Sequence, residues 1–148
     1  MTEVDPLAEL SRALGHAFGD PRVLERALTH SSYANEHQSA GDNEGLALLG
    51  DAALALVVAQ HLLEVMPGAP VGVLTPSRAA LVSGANLARW AGELGLGELV
   101  RLGRGEEQTG GRVRESVLAT ALEAVLGAVY LEGGIAAVRR VVAQLALW

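Results

Sequence analysis

Apolar residues recur at helical spacing almost throughout this chain, with no stretch of alternating strand pattern, and that periodicity predicts an all-α fold. The longest apolar run, Gly45 to Leu63, carries Asp51 near its middle and Gln60 and His61 towards its end. It is long enough to cross a membrane, yet a central aspartate costs about 2.5–3.5 kcal/mol in such a setting. The run therefore reads as the central core helix of a globular fold, flanked by amphipathic helices, and no membrane partner is expected.

The expected elements follow from their punctuation. Leu7 to Leu14 forms a short helix ended near Gly15. Asp20 caps and Pro21 opens a second helix, Arg22 to Thr29. Tyr33 to Asp42, polar and containing Asn35, Ser39 and Gly41, reads as a loop before a helix from about Asn43 to Met66. Thr75 and Pro76 supply a cap and first turn for a helix to about Leu94. The glycines between 95 and 111 mark a long connection with one helical turn. Arg114 to Leu131 and Ile135 to Trp148 form a final pair split by Gly133 and Gly134. These helices use the whole chain as a single domain, 1–148, with no linker and no repeat. A chain of 148 residues buries roughly 70% of its unfolded surface on folding, so it needs no disulfide.

Charge and cysteine usage narrow the chemistry. The net charge is −6, all 11 basic residues are arginine, and there is no lysine or cysteine. Disulfides, zinc–thiolate sites and cysteine nucleophiles are excluded, and a reducing, cytoplasmic setting suits the composition. The first 30 residues carry Glu3, Asp5, Glu9 and Asp20 and lack the basic start and apolar block of a secretory signal. An acidic chain has no global attraction for nucleic acid, so RNA binding needs a local patch, for which Arg101, Arg104, Arg112 and Arg114 are the candidates.

Two helix faces carry the candidate chemistry. Glu44, Ala47 and Asp51 share one face at i, i+3 and i+7, and Thr120 and Glu123 share another. If the two helices pack together, Asp51 and Glu123 meet in apolar surroundings, since Leu46, Leu48, Leu49, Ala52 and Ala53 leave little room for a solvated stripe. A buried carboxylate pair needs a cation, a donor or a proton, and a hard divalent cation is an economical answer. Spacing alone also permits a solvated acidic face. Glu44 reads equally as a helix-start acid beside an Asn43 cap, Gly50 as a point of close helix approach, His30 as a structural group at a helix end, and Trp90 as a packing residue. His16, His37 and His61 show no ligand spacing.

Five ordered motifs give a sharper reading: ALTHSSYANEH at 27–37, NEGLALLGDAAL at 43–54, LVSGANLA at 81–88, LGELVRLGRGEEQTGG at 96–111 and RESVLATALEAVLGAVYLEGG at 114–134. Together they resemble the nuclease domain of the bacterial ribonuclease III family, from about Leu7 onward. The resemblance implies an all-helical domain that forms a homodimer around a cleft for double-stranded or structured RNA. It implies a carboxylate cluster holding Mg²⁺ for phosphodiester hydrolysis, with Glu44, Asp51 and Glu123 at catalytic positions and Asp51 and Glu123 as metal ligands. Ala47 and Thr120 stand where that family has a ligand Glu and a ligand Asp. Gly45, Leu48 and Ser31 also depart, from the usual Arg, Phe and Arg. The resemblance thus implies the scaffold of a double-stranded RNA endoribonuclease whose Mg²⁺ binding and cleavage are weakened or lost, without the RNA-binding domain that follows in the family.

Overall fold

A computed structural model describes residues 3–38 and 41–145 of the chain. Among the described residues, nine α-helices and one 3-10 turn follow in order: α1 (Pro6–Leu14), α2 (Pro21–Ala27), α3 (Ser31–Glu36), α4 (Glu44–Val65), α5 (Val71–Leu81), α6 (Gly84–Glu93), α7 (Leu96–Leu99), α8 (Arg104–Gln108), the turn Gly111–Val113, and α9 (Glu115–Gln144). The described residues contain no strand, only a single bridge between Thr29 and Arg101. The all-α expectation holds. Ser39 and the end of the expected helix Ile135 to Trp148, from residue 146 on, lie outside the described residues.

α4 and α9 form the axis, and the other helices wrap it, with α6 next in extent of packing on α9. Their seam is closed by two glycines facing each other. A Cβ on Gly50 would lie 1.7 Å from the backbone oxygen of Glu123, and one on Gly127 would lie 2.0 Å from that of Leu46. Only hydrogen at both positions lets the two backbones touch. Leu54, Val58, Leu122, Leu126 and Val129 fill the rest of the seam and are fully buried. Each contributes about 2 kcal/mol by leaving water. Gly134, at φ 70° and ψ −168°, breaks α9 internally, which is the expected split between its two helical runs.

Several expected boundaries moved. The segment 33–42 is not all loop: α3 forms there without one buried residue, held instead by hydrogen bonds. The Gly103 N–H donates to Ser32 Oγ (2.8 Å) and the Arg104 N–H to Glu36 Oε1 (2.9 Å). Thr75 and Pro76 do not open a helix, because α5 begins at Val71 behind an extended Pro70 and carries Pro76 inside. The bond that Pro76 cannot donate leaves the Gly72 carbonyl to water, and Gly72 is exposed. The predicted single helix to Leu94 breaks at Val82, where Ser83 caps α6 by accepting from the Asn86 N–H. The glycine-rich connection holds three short helical pieces rather than one.

α4 is also less buried than a core helix. Two helices, α4 and α9, are long and apolar enough to cross a membrane by length and composition, and 39% of the relevant α4 window is buried against 56% of that of α9. One face of α4 packs on α9; the other exposes Leu48, Leu56 and Leu63 at 76%, 58% and 62%.

Candidate active site

The start of α3, the first turns of α4 and the first half of α9 line a cleft of about 490 Å³, formed by His30, Ser31, Asn43, Glu44, Ala47, Leu48, Asp51, Ser116, Val117, Thr120 and Glu123. Glu44, Ala47, Asp51, Thr120 and Glu123 all face it, as expected from their spacing. The Gly50–Gly127 contact explains this convergence, since it brings the backbone of α4 against that of Glu123 and so sets Asp51 beside it. Gly127 is the seam residue that sequence reading missed. Its only signal was a small residue one turn beyond Glu123.

The surroundings of the pair are wetter than expected. Asp51, Ala52 and Leu48 are exposed, and Glu123 is half-buried, so the carboxyls meet at the wall of a cleft rather than inside the core. Their environments still differ. Burial, together with a hydrogen bond to Asp51 and repulsion from its charge, pushes Glu123 from 4.5 up to about 7. Around pH 7 Glu123 is therefore only about half ionised, and its protonated form donates to Asp51.

The rest of the lining is built from local caps. The Ser32 N–H donates to His30 Nδ1 (3.1 Å), which makes that nitrogen an acceptor and puts the ring proton on Nε2. The Ser32 hydroxyl reaches the same nitrogen at 2.8 Å. Burial, outweighing the attraction of Glu44 and aided by Arg114, holds His30 below its ordinary value, so it stays neutral. His30 is thus the structural helix-end group expected, though it also lines the cleft. Asn43 corrects its expected role. It makes no side-chain cap to α4; the Glu44 N–H is taken by Asp42 Oδ1 (3.1 Å), and Asn43 Nδ2 reaches back to the Ala27 carbonyl (3.1 Å).

Beside the Asp51–Glu123 pair, half neutralised on Glu123 near pH 7, the oxygen donors lining the cleft are Glu44 and the hydroxyls of Thr120, Ser116 and Ser31, with a methyl at Ala47. Among the described residues no three His, Cys, Asp or Glu side chains converge closely enough to hold a metal ion.

The candidate RNA patch is neutralised by its neighbours. Arg114 pairs with Glu106, Arg112 with Glu107 (2.9 Å) and Arg101 with Glu25 (4.0 Å). Arg112 also donates to the Gly97 and Val100 carbonyls, which ties the 3-10 turn to α7. Arg104 alone of the four makes no ion pair in the described residues. Trp90 is 4% exposed and packs in the core, as expected.

A family model described as Ribonuclease-III-like matches residues 20–147. Proteins named Ribonuclease 3 are similar in sequence: that of Syntrophobacter fumaroxidans is 47% identical over 147 residues, covering 98% of this chain and 61% of that protein. That of Moorella thermoacetica is 52% identical over 126 residues, covering 85% and 54%. The chain thus spans between half and two thirds of the length of these relatives. The nuclease domain of ribonuclease III from Campylobacter jejuni, studied for structural flexibility in a region involved in dimer formation, superposes with a TM-score of 0.89 at 36% identity, covering 94% of each chain. A 2.2 Å crystal structure of the same nuclease domain gives 0.87 at 34% identity, covering 96% of this chain and 94% of that one.

Proposed function

This chain belongs to the ribonuclease III-like family, and from that membership we propose that it is a catalytically impaired member, a pseudoenzyme that acts as a homodimeric structured-RNA-binding or scaffold protein in the cytoplasm. The observation that carries the reading is the make-up of the cleft. Mg²⁺ asks for near-octahedral oxygen donors and holds its water reluctantly exchanged, so a site with few anionic oxygens binds it weakly. Here Ala47 brings no oxygen, Thr120 brings a neutral one, and Glu123 must first lose a proton to serve. These residues do not fit a tightly held Mg²⁺. The retained positions Glu44, Asp51 and Glu123 keep the outline of the site, with Asp51 and Glu123 as its only paired carboxylates.

The dimer is supported by the outer face of α4. Leu48, Leu56 and Leu63 lie within about 80° of one another around the helix at 3.6 residues per turn, and Val71 at the start of α5 is exposed at 73%. A stripe of large apolar side chains left in water marks an association surface. The chain works in this reading as one domain over residues 1–148.

Cleavage of double-stranded RNA with Mg²⁺ or Mn²⁺ tests the reading, and no cleavage above a no-protein control is expected. Metal-dependent cleavage abolished by Asp51→Asn or Glu123→Gln would sink it in favour of an active double-stranded RNA endoribonuclease, the reading that the retained Asp51–Glu123 pair favours. The ion-paired arginines favour a third reading, a dimeric protein-interaction module without RNA. Duplex binding that weakens steeply with salt separates the first reading from the third.

A further inference from the structure

α3 and α8 are pinned together at close range. The Gly103 N–H donates to Ser32 Oγ (2.8 Å) and the Arg104 N–H to Glu36 Oε1 (2.9 Å), and a Cβ on Gly103 would lie 2.6 Å from the Ser32 carbonyl oxygen. At this junction Glu36, His37 and Arg104 line a pocket of about 400 Å³. The His37 ring lies flat on that of Tyr33, with centroids 4.0 Å apart and planes 12° from parallel. Its orientation is fixed, because a carbonyl only accepts, and His37 Nδ1 therefore carries the proton that it donates to the Tyr33 oxygen (3.1 Å). Tyr33 covers one face of the ring while His37 is exposed, which leaves the other face to solvent. The Glu36 and Arg104 side chains are exposed too, and none of the ion pairs among the described residues involves Arg104.

A flat π-face, an acceptor-only carboxylate and a guanidinium without an acid partner around one pocket are the contacts that a nucleotide asks for. Stacking on an aromatic ring accepts any base, so the carboxylate decides among them. Of the four RNA bases only guanine presents two adjacent donors on its pairing edge, N1–H and the N2 amino group. Adenine and cytosine place an acceptor beside their amino group, and uracil flanks its N–H with two carbonyls. We propose that this pocket binds a guanine nucleotide. The base stacks on the outer face of His37, its pairing edge donates to Glu36, and Arg104 holds its phosphate. A carboxylate has lone pairs to spare beyond the one that takes the Arg104 N–H. The pocket shares no lining residue with the Asp51–Glu123 cleft, so the proposal does not depend on the impaired reading. The same chemistry serves a free nucleotide and an unpaired guanine in a folded RNA.

NMR titration of the purified chain at low salt with guanosine 5′-monophosphate, adenosine 5′-monophosphate and guanosine tests it. The guanine monophosphate is expected to bind about tenfold more tightly than the adenine one, as one good bidentate pair gives, and more tightly than guanosine. His37→Ala should abolish saturable binding. Glu36→Gln, which keeps an acceptor for the Arg104 N–H, should remove the preference for guanine, and Arg104→Ala should bring the monophosphate down to the level of guanosine. Arg140→Ala, which removes an equal charge from an exposed position of α9, should change nothing. All three pocket residues are exposed, so the variants are expected to fold, and matching circular dichroism spectra and melting temperatures check that they do. Two RNA hairpins differing in a single loop base, guanine or adenine, assign the source. A preference for the guanine hairpin that His37→Ala erases places the ligand in RNA, whereas equal hairpin affinities beside selective binding of the guanine monophosphate make it the free nucleotide. Equal affinity for the two monophosphates with no hairpin preference, or guanine binding unmoved by His37→Ala, overturns the proposal. If duplex RNA still binds with a steep salt dependence in that case, the guanine site alone fails and the RNA-binding reading stands.

Discussion

Replacing Glu123 by glutamine should make the protein more stable, but only above neutral pH. The group stands at about 7 in the fold against an ordinary 4.5, so folding favours its protonated form. With the folded value raised, the stability that the neutral carboxyl confers is fully present below pH 4.5 and is lost as the pH rises through about 7. Taken whole, that displacement is worth at most about 3 kcal/mol at about 1.4 kcal/mol per pH unit. Glu123 is only partly buried and Asp51 is exposed, so screening reduces the loss to about 1–2 kcal/mol. Glutamine keeps the shape and a donor towards Asp51 but never ionises. Urea denaturation of wild type and Glu123→Gln at pH 5 and pH 8.5, at one protein concentration because association adds to apparent stability, should give nearly equal free energies at pH 5. At pH 8.5 the variant should gain about 1–2 kcal/mol. Groups away from the Asp51–Glu123 pair titrate alike in both proteins and cancel in the difference. A gain of the same size at both pH values, or a loss at pH 8.5, would refute the idea that the cleft wall penalises a charge on Glu123. Asp51→Asn should remove part of the same pH dependence, and the double variant should gain less than the sum of the two.

Gly50→Ala should cost about 3 kcal/mol or more, the upper end for overpacking, because the new methyl would meet the Glu123 backbone rather than a side chain that can turn away; Gly45→Ala, with nothing within 4 Å, should leave the melting temperature within a few degrees. Glu132→Gln should loosen the N-terminal helices. Its carboxylate accepts from the Asp20 N–H (2.9 Å), the Gly19 N–H (3.1 Å) and His16 Nε2 (3.1 Å), and hydrogen exchange in 16–27 should rise while that of α4 does not. Although burial acts to raise Glu132, those donors hold it below the usual carboxylate range, so this clasp should persist at neutral pH and weaken only as the pH falls below about 4. Leu56→Arg on the outer face of α4 should shift sedimentation at micromolar concentration from dimer to monomer with little loss of helicity. Ala47→Glu with Thr120→Asp should restore divalent-metal binding by calorimetry; unchanged affinity would mean that the supporting helices have drifted as well.

Helix type and the pairing of the acidic faces were legible in the sequence because both depend on spacing alone. The 3.6-residue period put Glu44, Ala47 and Asp51 on one face of α4, and the structure keeps them there. What spacing could not reveal was depth. The neighbours of Asp51 are apolar, which argued for burial, yet Leu48 and Ala52 are turned to solvent because α4 has a partner in this chain on one side only. α3 escaped detection for the opposite reason: it buries nothing, so no apolar period announced it, and its stability comes from Ser32 and Glu36 reaching 71 and 68 residues along the chain. Pro76 misled by local logic, since a proline tolerated in a first turn is also tolerated wherever the orphaned carbonyl faces water.

Asn43 shows how such reversals bear on function. Read locally, an Asn before an acidic residue at the start of an apolar run is a helix cap. In the fold Asp42 takes over that task, and Asn43 is free to brace α4 against the end of α2 through the Ala27 carbonyl. That exchange leaves an amide oxygen buried at the start of α4 without a donor. An enclosed, unsatisfied acceptor is tolerated only where water or a ligand supplies the missing hydrogen. The cleft itself carries donors as well as acceptors, since the Ser116 and Thr120 hydroxyls line it together with Glu44 and Asp51. In the impaired reading, Ala47 and Thr120 stand where a Glu and an Asp would add charge, while Glu44, Asp51 and Glu123 remain. On that reading the cleft concentrates fewer anionic oxygens on one point than a tightly held Mg²⁺ needs.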